Sequence, residues 1–186
     1  MAAAAKHKDK LIGSAITLFR QKGYAATGLN EILAHSGAPK GSLYHYFPQG
    51  KEELGAIAVA RAGAAVTATL QHLHDTASDA GQFLKAYSAL LCDWIEKSDF
   101  REGCPIATTL LETAPQSERI AAAGREAFAE WIGLIASVYR RDGLSPRKAT
   151  DRAAFAVSAI EGALILARVQ KSTQPIRQVA KALSGG

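Results

Sequence analysis

Residues 27–54 constrain the fold of this chain more than any other stretch, because a short helical pattern stops abruptly and a second one follows at once. The first pattern has an apolar face at helical spacing, formed by Leu29, Ile32 and Leu33. Gly37 suits the left-handed position that follows a helix, and Pro39 suits the first position of the next helix. The stretch therefore predicts two short helices joined by a tight turn.

The second helix is predicted over about residues 40–46. Leu43 and Phe47 are spaced i, i+4, so both face inward. The side chains left on the outer face are polar or aromatic: Lys40, Ser42, Tyr44 and His45. A short helix with this outer surface is typical of one that enters a DNA major groove.

The same stretch resembles the recognition signature of the TetR family of transcriptional regulators. The matching residues are Gly23-Tyr24-x-x-Thr27, Glu31-Ile32, Ser36-Gly37-x-x-Lys40-Gly41-Ser42-Leu43-Tyr44, Phe47 and Lys51-Glu52-x-Leu54. Within that family, Gly50 and the segment 102–108 resemble the LmrA/YxaF-like branch, as do parts of 125–131 and 159–168. The resemblance implies an all-α protein with a three-helix DNA-binding head and a larger helical domain for dimerisation and effector binding.

Eight residues are candidates for DNA contact: Thr27, Lys40, Gly41, Ser42, Tyr44, His45, Tyr46 and Lys51. Lys40 would read a guanine edge or grip a phosphate, and otherwise it is a solvated surface lysine. Ser42 and Tyr44 can donate to phosphates or bases, although Tyr44 could instead pack against the bundle. Gly41 would allow close approach of the backbone.

Alternatives also remain open for three further candidates, His45, Tyr46 and Thr27. The commoner family order is Tyr-Tyr-His-Phe, whereas this chain reads Tyr44-His45-Tyr46-Phe47, so either His45 or Tyr46 would contact phosphate. Thr27 would cap the first short helix, contact phosphate, or do both. Lys51 would meet a phosphate together with a helix N-terminus.

Helical rather than alternating periodicity continues along the whole chain, which predicts about nine helices and no sheet. Besides the two short ones, the helices are predicted over about 8–22, 51–73, 80–97, 105–115, 118–141, 146–171 and from 175 onwards, with Ser117 as a cap. Residues 1–6 are predicted to be a frayed tail. We place the DNA-binding domain at 1–50 and the effector and dimerisation domain at 51–186.

Composition supports a DNA-binding protein of the cytoplasm. The net charge is +5, and residues 1–55 hold seven Lys or Arg against four Asp or Glu. Binding to DNA phosphates requires excess positive charge near the predicted DNA-contacting helix. We do not expect residues 1–6 to be a signal peptide, because no apolar core follows a basic start. No apolar run reaches the roughly 18–20 residues of a membrane span, and Cys92 with Cys104 gives no disulfide framework.

Helices after the head carry many large apolar side chains, which form either plain core or an effector pocket. The resemblance places a pocket among them, and we take as its candidates Phe83, Tyr87, Leu91, Trp94, Ile106, Leu110, Phe128, Trp131, Ile160 and Leu164. A small-molecule site is usually apolar with a few polar groups, which Glu112 and Glu161 could supply unless they lie on solvated faces.

Small residues on the predicted helix 146–171 allow close helix packing, either within the chain or with a second copy. The resemblance implies a four-helix dimer interface, with Phe155, Ala159, Gly162, Ala163 and Leu166 as candidates. A dimer would place two recognition helices about 34 Å apart, so that they read a palindrome in successive major grooves.

The sequence therefore predicts a homodimeric transcriptional regulator, a repressor released from palindromic operator DNA by a small apolar or aromatic effector. Resemblance to the LmrA/YxaF-like branch indicates flavonoid-like or antibiotic-like effectors. The alternatives are a dimeric interaction module and a regulator without an effector. An enzyme is not expected, and neither is a cofactor or a metal, since His72 and His74 at i, i+2 point apart on a helix.

Overall fold

A computed structural model describes the backbone of residues 2–184 and the side chains of residues 6–184. The described chain contains nine helices and no strand, which confirms the all-α prediction. The helices are α1 (Ala2–Lys22), α2 (Leu29–Ser36), α3 (Ser42–Tyr46), α4 (Gly50–Thr76), α5 (Ala80–Lys97), α6 (Ala107–Thr113), α7 (Glu118–Arg141), α8 (Pro146–Gln170) and α9 (Gln174–Ser184).

Packing divides the chain into two compact units. The first comprises Met1–Gly63 and Pro105–Glu126, and the second comprises Ala64–Cys104 and Ala127–Gly186. The segment 105–126 packs with the head although it lies far away in sequence, which the sequence analysis did not anticipate. The functional boundary between residues 50 and 51 stays a prediction.

The head is a small bundle around one apolar cluster. The cluster contains residues from α1, α2, α3 and α4: Leu11, Ile12, Ala15, Leu18, Phe19, Ile32, Leu43, Phe47, Leu54 and Ala58. Each of these side chains is almost fully buried, which confirms the inward positions of Ile32, Leu43 and Phe47. Leu29 and Leu33 are only partly buried and pack against the cluster.

Some predicted helix boundaries were wrong. Helix α1 begins at Ala2 rather than near residue 8, so residues 2–6 belong to a helix and are not a frayed tail. Helix α3 begins at Ser42, because the carbonyl of Pro39 accepts the Ser42 amide at 2.9 Å in a turn that precedes the helix. Helix α6 likewise begins at Ala107, two residues after Pro105.

In the second unit, α9 packs against both α5 and α8. The inner face of α5 follows helical spacing through Phe83, Tyr87, Leu91 and Ile95, all of which are buried. Trp94 is 36% exposed although it lies only about 20° around the helix from Tyr87, so its exposure does not follow from helical spacing. Helices α4 and α8 are long and apolar enough to cross a membrane. Core helices of soluble proteins meet the same criterion of length and composition.

Gly23 ends α1 in a conformation that only glycine adopts without strain. Its φ is +89°, and a Cβ at this position would collide with Oε1 of Glu112 on α6. The Glu112 carboxylate thus occupies the space that a side chain at position 23 would need. Glycine here is required both by the turn and by the docking of α6.

We expect Gly23→Ala to lower the free energy of unfolding by about 1–3 kcal/mol, because the left-handed φ becomes strained and Glu112 must move. Gly13→Ala is the matched control: Gly13 is exposed within α1, and a Cβ there meets nothing within 4 Å. That control should be neutral or stabilising by up to about 1 kcal/mol. Denaturant titrations of the two variants test this, and equal effects would contradict it.

Candidate nucleic-acid interface and effector cavity

The turn between α2 and α3 is built by local hydrogen bonds. Gly37 has a φ of +62° and its amide donates to the Ala34 carbonyl, which confirms the predicted left-handed stop. The Ser36 hydroxyl donates to the Leu33 carbonyl and accepts from the Ala38 amide at 3.1 Å. These bonds satisfy backbone groups at the end of α2 and set the direction in which the chain enters α3.

Helix α3 presents one buried and one exposed face. Leu43 and Phe47 have no exposed surface, whereas Tyr44 is 64% exposed. Lys40, Gly41 and His45 are exposed as well. The predicted outer surface is therefore present on the head, with hydroxyl, imidazole and ammonium groups directed to solvent.

His45 and Tyr46 differ in how much of each side chain is available. His45 is exposed, whereas Tyr46 is half-buried and packs against the core cluster of the head. The two rings form an edge contact with centroids 4.8 Å apart, and Tyr46 makes a second edge contact with Phe47 at 6.4 Å. The exchanged order therefore places the imidazole outside and the phenol ring against the core.

The predicted role of Thr27 is corrected by the structure. Helix α2 is preceded by Gly28 and has no side-chain cap, so the capping prediction was wrong. Thr27 is fully buried, and its hydroxyl donates to the Gly23 carbonyl at 2.7 Å. Full burial also removes Thr27 from the surface that a phosphate could reach.

Ser42 is half-buried, and its hydroxyl donates to the Pro39 carbonyl at 2.6 Å.

Lys51, in the first turn of α4, is engaged within the head. Its ammonium lies 4.4 Å from the centre of the Tyr24 ring and 3.5 Å from the Ala25 carbonyl oxygen. Burial lowers the pKa of Lys51, and the nearby Glu112 carboxylate opposes that shift. Burial, and then the Glu52 carboxylate, raise the pKa of Tyr24. A phosphate would thus have to compete with these partners for the ammonium group.

Helix α6 and the start of α7 hold the head at two places. Oε2 of Glu112 accepts the Ala25 amide at 2.5 Å, in the loop between α1 and α2. At the start of α7, the Ser117 hydroxyl donates to Glu52 and accepts the Ile120 amide, which confirms Ser117 as a cap. Nearby, Arg119 pairs with Glu53 at 3.6 Å. We call residues 105–126, which make these contacts, the clamp segment.

The second unit contains a small cavity among α4, α5, α7 and α8. It is lined by Leu70, Tyr87, Trp131, Ile135, Val157, Ile160 and Glu161. Its volume is about 10 Å³, which is room for about one water molecule. An effector of ordinary size therefore requires the lining side chains to move apart.

The polar groups at this cavity meet from three parts of the chain. The Cys104 thiol is hydrogen-bonded to the half-buried side chain of Glu161. Burial raises the pKa of Glu161, and the Cys104 hydrogen bond opposes that shift. Burial also raises the pKa of the Tyr87 phenol far above its usual range, with smaller contributions from Cys104 and Glu161.

Three of the predicted pocket residues line the cavity: Tyr87, Trp131 and Ile160. Phe83, Leu91 and Leu164 are buried elsewhere in the second unit, Phe128 packs edge-on against Trp131 with centroids 5.1 Å apart, and Trp94 is partly exposed. Ile106 and Leu110 belong to the first unit. They therefore do not line this cavity, because α6 packs with the head.

Sequence reasoning missed Leu70, Ile135 and Val157 as lining residues. Ile135 follows Trp131 at i+4, and Val157 precedes Glu161 at i+4, so helical spacing could have indicated both. Leu70 had no such signal. Of the two candidate glutamates, Glu161 lines the cavity and Glu112 contacts the head.

One face of α8 carries an exposed apolar stripe. Phe155 is 65% exposed, Leu166 is 50% exposed and Val169 is 77% exposed. These residues share one helical face with exposed Gly162. Ala163 is only 3% exposed and faces the interior of its own unit, so it does not belong to this stripe, and Ala159 is half-buried beside it.

No metal site is formed among the described residues 6–184, where no group of three His, Cys, Asp or Glu is placed to hold an ion. His74 instead hydrogen-bonds to Asp75 at 3.0 Å. That bond and another from Gln71 lower the pKa of the Asp75 carboxyl.

Family models match both parts of the chain. Residues 11–56 match the model of bacterial regulatory proteins of the tetR family. Residues 80–182 match the C-terminal domain of LmrA/YxaF-like transcriptional regulators.

Similar proteins are found along nearly the full length. The transcriptional regulator YxaF of Bacillus subtilis is 33% identical over 94% of this chain and 91% of its own length. The regulator LmrA of the same species is 31% identical over 95% and 94%. A TetR-family regulator from Agrobacterium tumefaciens has the same fold, with a TM-score of 0.85, 21% identity and 97% of each chain covered. These relatives are transcriptional regulators rather than enzymes.

The Glu112 contact predicts a measurable change in the head. In Glu112→Ala the Ala25 amide loses its acceptor, so its hydrogen exchange should accelerate by about tenfold, the equivalent of about 1.4 kcal/mol. Glu112→Gln keeps an acceptor oxygen and should show a smaller change. Glu118→Ala is the control, since Glu118 pairs with Arg125 and not with the head loop. Unchanged exchange at Ala25 in Glu112→Ala would contradict the contact.

Proposed function

Because the chain belongs to the TetR family of transcriptional regulators, in its LmrA/YxaF-like branch, we propose that it is a homodimeric repressor released from operator DNA by a small effector. TetR-family regulators bind DNA and act as dimers. The observation that carries the proposal for this chain is the exposed polar face of α3, held by the buried Leu43 and Phe47. We further propose a cytoplasmic location, without a membrane partner, where operator DNA is accessible.

The DNA contact is proposed to come from α3 and the turn before it. Tyr44 and Lys40 extend from the exposed face and can reach bases and phosphates, and Gly41 leaves room for the backbone to approach. His45 rather than Tyr46 is proposed to contact phosphate, because Tyr46 packs against the core. Ser42 and Lys51 would contact phosphate only by giving up part of their present bonds.

The α8 stripe supports the dimer. Exposed apolar surface that is continuous along a helix favours association, since burying it contributes about 25 cal/mol per Å². Self-association about a two-fold axis would pair the stripe with its own copy, and Gly162 would let the two helices approach closely. In the proposed interface Phe155, Gly162 and Leu166 are central, Ala159 lies at the edge, and Ala163 is left out.

Effector control is proposed to act through the clamp segment. An effector entering the cavity would have to part its walls, to which α7 contributes Trp131, and Ser117, directly before α7, makes the contact with Glu52 of α4. A near-complete reversal of DNA binding requires the effector to favour the released state by about 5.5 kcal/mol. The small cavity favours one second candidate, a regulator without a small-molecule effector, for which no ligand would change operator affinity.

We expect the double variant Lys40→Ala, Tyr44→Ala to lose operator binding at physiological salt, because each contact contributes about 1–3 kcal/mol. The operator is first obtained by selecting bound sequences from a random DNA pool, and a palindrome is expected. Binding is then measured by fluorescence anisotropy. Lys85→Ala is the control, because Lys85 is an exposed lysine of α5 outside both the head and the α8 stripe, and it should bind normally.

Normal operator binding by the double variant, with the fold intact by circular dichroism, would contradict the proposed DNA surface. Repeating the selection with candidate effectors tests the sign of regulation. Loss of the enriched site on addition of an effector supports a repressor that is released by its ligand. Enrichment that appears only with effector would contradict it.

The dimer is tested by placing a charge in the stripe. Leu166→Arg should convert the dimer to a monomer and weaken operator binding, because a buried guanidinium would face its own copy across the two-fold axis. Leu111→Arg is the control: Leu111 is 76% exposed on α6 and lies outside the stripe. Light scattering coupled to size-exclusion chromatography measures both. A dimer that persists in Leu166→Arg would refute this interface.

A further inference from the structure

Glu161 is a half-buried carboxyl at the wall of the cavity. It lies on α8, lines the cavity, and its hydrogen bond from the Cys104 thiol is a weak one. No lysine, arginine or histidine is among the residues that line this cavity. An ionised carboxylate in such a place costs free energy until a cation reaches it.

The other walls of the cavity suit a cation with an apolar body. Tyr87 and Trp131 contribute two aromatic rings, and ring faces attract cations, most strongly for tryptophan. The remaining lining side chains are aliphatic: Leu70, Ile135, Val157 and Ile160. A single carboxyl at a cavity that is otherwise lined by aromatic and aliphatic side chains favours lipophilic cations over neutral and anionic molecules of the same size.

We propose that the effector is a lipophilic cation, such as a protonated aromatic amine or an onium ion, whose charge is recognised by Glu161 with the rings of Tyr87 and Trp131. This proposal rests on the effector site of the proposed function and specifies its ligand. The cation body displaces the lining side chains, because the present cavity holds only about one water molecule. Binding would then pair the Glu161 carboxylate with the positive charge of the ligand.

Binding should depend on pH in a defined direction. The groups that face Glu161 are the Cys104 thiol and, from α5, the Tyr87 phenol, whose own pKa is far above neutrality. Since burial raises the pKa of Glu161, a larger fraction of this carboxyl is neutral at a given low pH than for an exposed glutamate. A permanently charged ligand should therefore bind more tightly as pH rises through the pKa of Glu161.

The experiment uses the full-length protein and four probes of known charge. Tetraphenylphosphonium is a permanent cation, tetraphenylborate is an anion of the same shape, and triphenylphosphine oxide is a neutral molecule of similar body. Quercetin represents a neutral polyphenol. The chain has only two tryptophans, so Trp94→Phe leaves the emission of Trp131 in the cavity wall as the binding signal.

We expect the cation to bind at least about tenfold more tightly than the anion and the neutral phosphine oxide, and Glu161→Gln to remove that preference. Glu161→Gln should also remove the pH dependence. Asp151→Asn is the matched control, because it deletes one carboxylate from an exposed position on the same helix and should bind the cation normally.

Equal binding of cation and anion by the wild-type protein would overturn the proposal without any variant, and so would a cation affinity unchanged by Glu161→Gln. Tight binding of quercetin alone would assign the cavity to neutral polyphenols instead. Operator binding without ligand is measured for each variant. If the wild-type protein does not bind operator DNA, the proposed function is refuted. If it binds operator DNA but shows no preference for the cation, only the choice of ligand is refuted.

Discussion

The burial of two side chains, Leu43 and Phe47, is the interaction on which the head depends. Helix α3 has five residues, far fewer than the roughly 12–15 that an isolated helix needs in water, so its own hydrogen bonds cannot hold it. Both side chains have no exposed surface and join the cluster that α1 and α4 form. Every exposed group of α3 is therefore positioned by packing on its opposite face, so the surface that we propose to contact DNA exists only while that packing is intact.

A second constraint ties this head to a distant part of the sequence. The clamp segment (residues 105–126) donates and accepts hydrogen bonds at the loop after α1 and at the first turn of α4, through Glu112 and Ser117. The same α7 that begins beside α4 contributes Trp131 to the cavity later along its length. Helix α7 therefore runs without a break from the clamp segment to the cavity wall, and this is the route that we propose for effector control.

Much of the fold was predictable because its signals are local. The bounds of α5 and α7 were predicted as the structure has them, since caps and polar turns mark their ends and large apolar residues repeat at helical spacing. The inward positions of Leu43 and Phe47 followed from the same periodicity. Thr27 failed as a predicted cap because α2 begins at Leu29 with Gly28 in the cap position, and the Thr27 hydroxyl instead donates to the Gly23 carbonyl.

The sequence by itself determined that the chain is all-α, where its helices turn, and which side chains of α3 are polar and outward, because these depend on residues within about one or two helical turns of each other. Tertiary structure alone decided that Glu112 fills the space beside Gly23, that Glu161 meets Tyr87 and Cys104 at one cavity, and that Ala163 faces inward. Such contacts join residues far apart in the chain, and their geometry is set by how whole helices pack.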